Sequence, residues 1–441
     1  MKIINRLKST DKDLLEIIKG GGLNFIFYGF NLVIVYLLAI LITKYYGASA
    51  YGRYSIIKSL ILVLIIINTL GLNTYAIKLS SNRWHFEKGY FKSDFLKKSY
   101  FVLIFTSIIF TSILFFFRNE IALSIFKDED LIVYLTYFPF ILLFSVFLNY
   151  NSNVLKGQGK ILVFSFVSSF FNNLIFISLI VVVFNFYSSN ESFLIISLLI
   201  SFIVAFLFSF FKIFPLKYSK VVVKYKYKNL LKESFPMMLS SSMIFIIFSV
   251  DTLMLGFFDS SENVGIYRIV TQISGLNAVF LIIFSSIVGP KISNLFSENR
   301  ALEIRNLILN SSKIIFYISL PILILILVFS KSILGFFGQE YSNGYSAIVI
   351  LSVSQFFFAI TGFVDLILNM TGKQSVFGKI TVLTAIFNVF LNLVLIPRYS
   401  ISGAAIATGF SVLLTNILGL IYVYKDFKFL AVYIPFYNKS K

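Results

Sequence analysis

Apolar positions in this chain come in long unbroken blocks, and the charged positions between them are few. Twelve stretches of 17 or more residues contain no Asp, Glu, Lys or Arg. Six lie between Lys19 and Lys44, Lys58 and Lys78, Lys98 and Arg118, Asp130 and Lys156, Lys160 and Glu191, and Glu191 and Lys212. The other six lie between Glu233 and Asp251, Arg268 and Lys291, Lys313 and Lys331, Glu340 and Asp365, Lys379 and Arg398, and Arg398 and Lys425. A bilayer core takes about 20 apolar residues per helix, so the pattern predicts an all-α polytopic membrane protein of about twelve transmembrane helices. Charges inside some blocks imply helices that overrun these limits.

Composition agrees. Of 441 residues, 58% are hydrophobic and 13% charged, whereas soluble domains carry about 25% charged residues. The first apolar run follows a charged segment and has no short apolar core with a small-residue cleavage site, so it reads as an anchor rather than a signal peptide. Cysteine is absent, which removes disulfides, thiolate metal sites and thiol nucleophiles.

The net charge of +19 matters less than its distribution. Placing the N-terminus on one face puts 30 of the 38 Lys and Arg residues there, including the lysine-rich stretch Lys212 to Lys232. The positive-inside rule then predicts cytoplasmic termini at both ends of a bacterial inner-membrane protein. A juxtamembrane lysine cluster sets topology and meets anionic headgroups, so it is read that way and not as a nucleic-acid site. Trp84 and the single histidine, His85, fall at a span's cytoplasmic end, where amphipathic rings are favoured.

The chain repeats itself. Gly52 and Tyr54 recur as Gly265 and Tyr267, and Gly159, Lys160 and Phe164 recur as Gly372, Lys373 and Phe377, all at an offset of 213 residues. A constant register at turn positions favours duplication. It predicts two pseudo-symmetric six-helix lobes in parallel orientation, with a substrate site at their interface. The predicted divisions are an N-terminal lobe over 1–211, a basic linker over 212–233, a C-terminal lobe over 234–424 and a tail over 425–441.

Several chemistries are missing. Gly159-Lys160 and Gly372-Lys373 lack the upstream glycine and following Ser/Thr of a phosphate-binding loop. One histidine without cysteines cannot supply a metal cluster or triad. A membrane-embedded enzyme is disfavoured. What remains are ionisable residues at membrane depth, which cost about 2.5 to 3.5 kcal/mol at a helix centre and usually face an interior or an aqueous path. Lys58 and Arg268 are the candidate substrate cations. Arg268 maps by the repeat onto Ser55, three residues from Lys58 on one helix face. Arg53 is a third cation, about 140° from Lys58 around its helix. The competing reading is that Lys58 and Arg268 merely snorkel to the interface. Asp251 and Asp365 are candidates for ion coupling or charge balance, Asp251 by neutralising a cation or carrying a proton. Asp365 has an interfacial reading as well. Asn24, Asn31, Asn68, Asn73, Gln272, Asn277 and Gln355 can contact sugars, and interhelical hydrogen bonding explains most of them equally well.

Three segments carry a family resemblance: Tyr46 to Tyr54 (YGASAYGRY), Asp251 to Gly256 (DTLMLG) with Val264 to Tyr267, and Asn388 to Thr408 (NVFLNLVLIPRYSISGAAIAT). Together the chain resembles the multidrug/oligosaccharidyl-lipid/polysaccharide exporter superfamily, and within it the Wzx-type flippases of O-antigen and other polysaccharide repeat units. Ser400 stands where that pattern usually has glycine. The resemblance implies a central cationic cavity and an undecaprenyl-pyrophosphate-linked oligosaccharide moved by alternating access. It also implies no cofactor beyond an H+ or Na+ gradient, other polysaccharide-assembly proteins as partners, and no nucleic acid. The cations suit a pyrophosphate, since Arg and Lys give it charge-assisted hydrogen bonds. A drug or cation antiporter of the same superfamily is the alternative, disfavoured because such a cavity wants carboxylates. A polymerase or ligase of lipid-linked sugars is a further one, disfavoured because the longest outer segment, about residues 331–346, is short.

Overall fold

A computed structural model describes residues 2–81, 94–186, 190–213 and 225–435, with side chains outside the description for 2–26, 28, 80–81, 161, 169, 186, 239–248 and 286. Trp84, His85 and most of the linker lysines lie outside the described residues. Among the described residues all regular structure is helical.

The helices are α1 (Lys2–Thr69), α2 (Leu72–Ser81), α3 (Asp94–Phe116), α4 (Leu131–Gly157), α5 (Ile161–Ser165), α6 (Asn172–Phe186) and α7 (Glu191–Ile213). Then come α8 (Tyr227–Phe258), α9 (Ser261–Ser274), α10 (Leu276–Ser297), α11 (Ala301–Gly335), α12 (Tyr345–Thr361), α13 (Phe363–Met370) and α14 (Gln374–Phe427). Two are far too long for one crossing of about 20 residues, and each is broken once. α1 breaks at Gly47 (φ 84°, ψ 178°) and the 54-residue α14 breaks at Ser400 (φ 49°, ψ −129°). Elsewhere adjoining helices share one crossing: a π turn over Phe166–Phe171 joins α5 to α6, α9 meets α10 at a 50° bend, and α12 runs into α13 at Gly362. Counted this way the described helices make twelve membrane-length segments, six before Ile213 and six after Tyr227. The chain is an all-α polytopic membrane protein.

Packing divides it into two compact units, Met1–Tyr46 with Ile57–Phe245, and Gly47–Ile56 with Ile246–Lys441. By packing, then, α8 stays with the first unit as far as Phe245, and ten residues of α1 belong to the second. In the first unit α4 is central, burying Tyr134, Phe138, Ile141 and Val146 completely against α2, α3 and α7. In the second, α12 packs on α11 and α14, and Leu281, Ile308, Phe363 and Ile367 form the core below it. Outward faces are apolar as well: Phe101 and Phe105 of α3 are each 60% exposed, as expected where the solvent is lipid.

The repeat has a local structural signature. Gly159 (φ 73°) and Gly372 (φ 78°) both take the left-handed conformation. Behind each, a backbone N–H reaches five residues back, Lys160 to Leu155 at 3.1 Å and Lys373 to Leu368 at 2.8 Å. These are matching helix stops of the Schellman kind, at the predicted offset.

Candidate functional site

Asp251 sits near the C-terminal end of α8 and is 5% exposed. Three side chains donate to it: Tyr267 from α9 at 3.2 Å, Asn392 from α14 at 2.5 Å, and Thr408 from beyond the α14 break. Asn392 also donates to Asn388 at 3.1 Å, which the four-residue spacing places on the same helix face. Tyr267 and Thr408 are linked at 3.1 Å. The Ser400 break makes this possible, because it folds the two halves of α14 so that Asn392 and Thr408 reach one carboxylate.

The knot is polar but uncompensated. Tyr267, Asn388 and Asn392 are each at most 1% exposed, and Asn392 Oδ1 and Asn388 Nδ2 have no hydrogen-bond partner. Among the described residues no ion pair joins Asp251 to Arg268 or any other cation. A buried carboxylate faced only by neutral groups has a large desolvation cost, which a proton or a bound cation relieves. With one carboxylate and several neutral oxygens the site suits a small monovalent ion. Among the described residues no group of three or more Asp, Glu, His or Cys side chains gathers for a multivalent metal.

Arg268 follows Tyr267 directly and is exposed, whereas Tyr267 points into the knot. One turn on, Gln272 accepts a hydrogen bond from Tyr51 at 3.1 Å, and Tyr51 stacks on Tyr54 with 5.9 Å between ring centres. Arg53 is 8% exposed. These residues all belong to the second unit. Lys58 belongs to the first, where it is half-buried with its Nζ 5.6 Å from the Phe202 ring centre.

The other predicted residues scatter. Asp365 is half-buried in the first turn of α13, and its Oδ1 accepts from the Leu366 N–H at 2.5 Å, an acid at a helix start where the dipole favours it. Asn31 accepts from Asn173 at 2.8 Å. Asn68 is fully buried and accepts from Thr106 at 2.6 Å and Ser107 at 3.2 Å, and Asn73 donates to Asn149 at 3.2 Å. Asn277, also fully buried, braces the α9–α10 bend by donating to the Ser274 carbonyl at 3.2 Å. Asn31, Asn68 and Asn73 thus tie helices together. Gln355 is half-buried on α12, and the Asn24 side chain lies outside the described residues. Sequence reasoning singled out Asp251 but not Tyr267, Asn388, Asn392 or Thr408 as its partners. A signal was present, since all four fall within the segments that carry the family pattern.

The family model described as "Polysaccharide biosynthesis protein" matches residues 17–296, and one described as "MatE" matches 236–394. Agl15 of Haloferax volcanii, a probable low-salt glycan biosynthesis flippase, is 26% identical over 38% of this chain and 36% of its own length. The chain spans little more than a third of the first curated relatives it matches. An inward-facing multidrug resistance MATE family transporter of the MOP superfamily superposes with a TM-score of 0.77 at 14% identity, over 92% of this chain and 98% of that one. The lipid II flippase MurJ, in an inward closed conformation, gives 0.71 at 15% identity over 92% and 89%. The fold is therefore that of the MOP-superfamily transporters.

Proposed function

We propose that this chain, which belongs to the polysaccharide biosynthesis protein family, is a transporter that moves an undecaprenyl-pyrophosphate-linked oligosaccharide across the bacterial inner membrane. It works by alternating access, for O-antigen or another surface polysaccharide, with both termini cytoplasmic. The observation that carries the reading is the adjacency of Tyr267 and Arg268. One residue is bonded to a buried carboxylate, and the next is an exposed arginine. Arg268, with Lys58 and more weakly Arg53, pairs with the pyrophosphate by charge-assisted hydrogen bonds, while the Asp251 knot takes up a coupling H+ or Na+. Occupancy of the knot changes what Tyr267 is bonded to, and Arg268 moves on the same helical turn. A half-turn of the Asn392 amide would replace its donor by the Oδ1 acceptor, so one set of side chains can serve both the empty and the cation-bound site.

Names of related proteins support the lipid-linked substrate, since Agl15 is described as a glycan biosynthesis flippase and MurJ as a lipid II flippase. The MATE match keeps a drug or cation antiporter as the second reading. The test is flipping of a polyprenyl-pyrophosphate oligosaccharide in vesicles under an imposed Na+ or H+ gradient. Gradient-dependent flipping that Arg268→Ala abolishes supports the proposal. Efflux of organic cations without lipid flipping would replace it with the antiporter reading.

A further inference from the structure

Beyond the Asp251 knot the two halves of α14 continue as an antiparallel pair with polar side chains facing each other. Two contacts set the register. Asn392 and Thr408 meet on the Asp251 carboxylate, and about two turns nearer the helix start Thr384 Oγ1 lies 2.9 Å from Thr415 Oγ1. The same register puts Ser411 opposite Asn388, and Thr381 follows one turn before Thr384. Thr384, Asn388 and Asn392 are each at most 1% exposed, and Ser411 and Thr381 are buried with them. Leu383, Ile386, Phe390 and Leu393, on the other side of the same helix half, are all exposed. From Asn392 to Thr381 this seam runs about 16 Å at 1.5 Å per residue, roughly half the thickness of a hydrocarbon core, and it ends beside the exposed Lys379.

The hydroxyls donate within their own helix halves: Thr381 to the Phe377 carbonyl at 2.9 Å, Thr384 to Ile380 at 3.0 Å and Ser411 to Ala407 at 2.7 Å. Each oxygen thereby keeps acceptor lone pairs. Polarity is not a requirement of such a hairpin. In the first unit α6 and α7, which the 213-residue repeat pairs with the two halves of α14 to within one residue, bury Phe176, Ile180, Ile195 and Leu198 completely. Polar positions inside spanning helices mark ion pathways.

We propose that this seam conducts Na+ between the Asp251 knot and the face of the second unit that carries the Gln374 and Phe427 ends of α14. The inference rests on the coupling reading above and names the ion and its route. Asn392 Oδ1, buried without a partner, and the hydroxyl and amide oxygens beyond it replace hydration water stepwise, and several weak sites in file let an ion both enter and leave. An ion that passes parts the Thr384–Thr415 contact and takes both oxygens as ligands. Thr, Ser and Asn side chains offer no titrating group to pass a proton, so the seam suits Na+ rather than H+.

The chain has no cysteine, so an introduced thiol is unique, and Ag+ is a monovalent probe that reacts with it. In membranes containing the full-length protein, single Ser411→Cys and Thr415→Cys variants should lose their thiol to Ag+ added at the C-terminal face about tenfold faster than to Ag+ added at the other face, a barrier difference of ~1.4 kcal/mol. Leu383→Cys, beside Thr384 but turned outward at 57% exposure, should react slowly from both. Seam thiols as slow as Leu383→Cys, or faster from the opposite face, overturn the route. A second measurement follows radioactive Na+ bound to the purified protein. Thr384→Val combined with Thr415→Val should slow its release about tenfold and leave equilibrium affinity within about twofold, because the side chains around Asp251 are intact, while the matching pair of serine substitutions should keep the parent rate. Parent-like release by the valine pair overturns the route, and a parent protein that binds no Na+ overturns the ion assignment. Lipid flipping insensitive to both gradients sinks the coupling reading instead, and the silver result still decides the route.

Discussion

Asp251 shows how much one residue's environment constrains its role. The sequence reading paired it with Arg268 or gave it a proton, because both are ionisable at similar depth on neighbouring spans. The fold instead surrounds it with Tyr267, Asn392 and Thr408, and turns Arg268 to an exposed position. Linear patterning could not reveal this, since the contact of Thr408 with Asp251 depends on a bend at Ser400 that hydropathy does not register. Asp251→Asn should abolish the dependence of flipping on the gradient while leaving binding of the lipid-linked sugar within about twofold, a change under 0.5 kcal/mol. Flux against ion gradient in vesicles, with binding measured separately, checks both. Arg268→Ala should act in the opposite way, losing binding by about tenfold or more, the 1.5 to 3 kcal/mol of a hydrogen bond to a charged group, and Arg268→Lys should retain part of it as a point charge without the planar fork. Normal binding by Arg268→Ala would favour the snorkelling reading.

Helix existence was legible at the element scale, because blocks of 17 or more uncharged residues have few alternatives in a membrane. Helix breaks were less so. Gly159 and Gly372 were found by their spacing, and both prove to be left-handed helix stops. A Cβ at either meets nothing within 4 Å, so alanine there pays only for its backbone, about 1 kcal/mol. Gly159→Ala and Gly372→Ala should therefore lower thermal stability in detergent by similar small amounts, and a large difference between them would deny the equivalence of the two stops. Ser400 is the contrary case. It holds φ 49° and ψ −129°, a region that costs a side chain about 1 to 3 kcal/mol, and its hydroxyl donates to Asp259 and accepts from Asn263 at 3.3 Å. Ser400→Gly loses those bonds but also the strain, so the two nearly cancel. Ser400→Ala keeps the strain and loses the bonds, and should be the less stable of the two by about 2 kcal/mol, unfolding at the lower temperature.

For the whole molecule, the same charges that the helices exclude predict its orientation. Thirty of 38 basic residues fall on one side of the predicted topology, an asymmetry that hydropathy alone cannot supply and that the count of twelve segments makes self-consistent, since an even number returns the chain to its starting face. The breaks at Gly47 and Ser400 belong to this argument, because without them α1 and α14 would each cross once and the parity of everything between would invert. A reporter active only outside the cytoplasm should thus be silent when fused after Lys441 and active when inserted in the acidic turn at Asp128–Asp130. A second insertion beside Ser400 should also be active, because that break has to turn the chain on the face opposite both termini. Activity at Lys441 with silence at Asp128 would reverse the orientation while keeping twelve segments. Matching signals at Lys441 and Ser400 would mean that the second half of α14 does not cross, which would carry Thr408 away from Asp251 and dissolve the proposed coupling site with it.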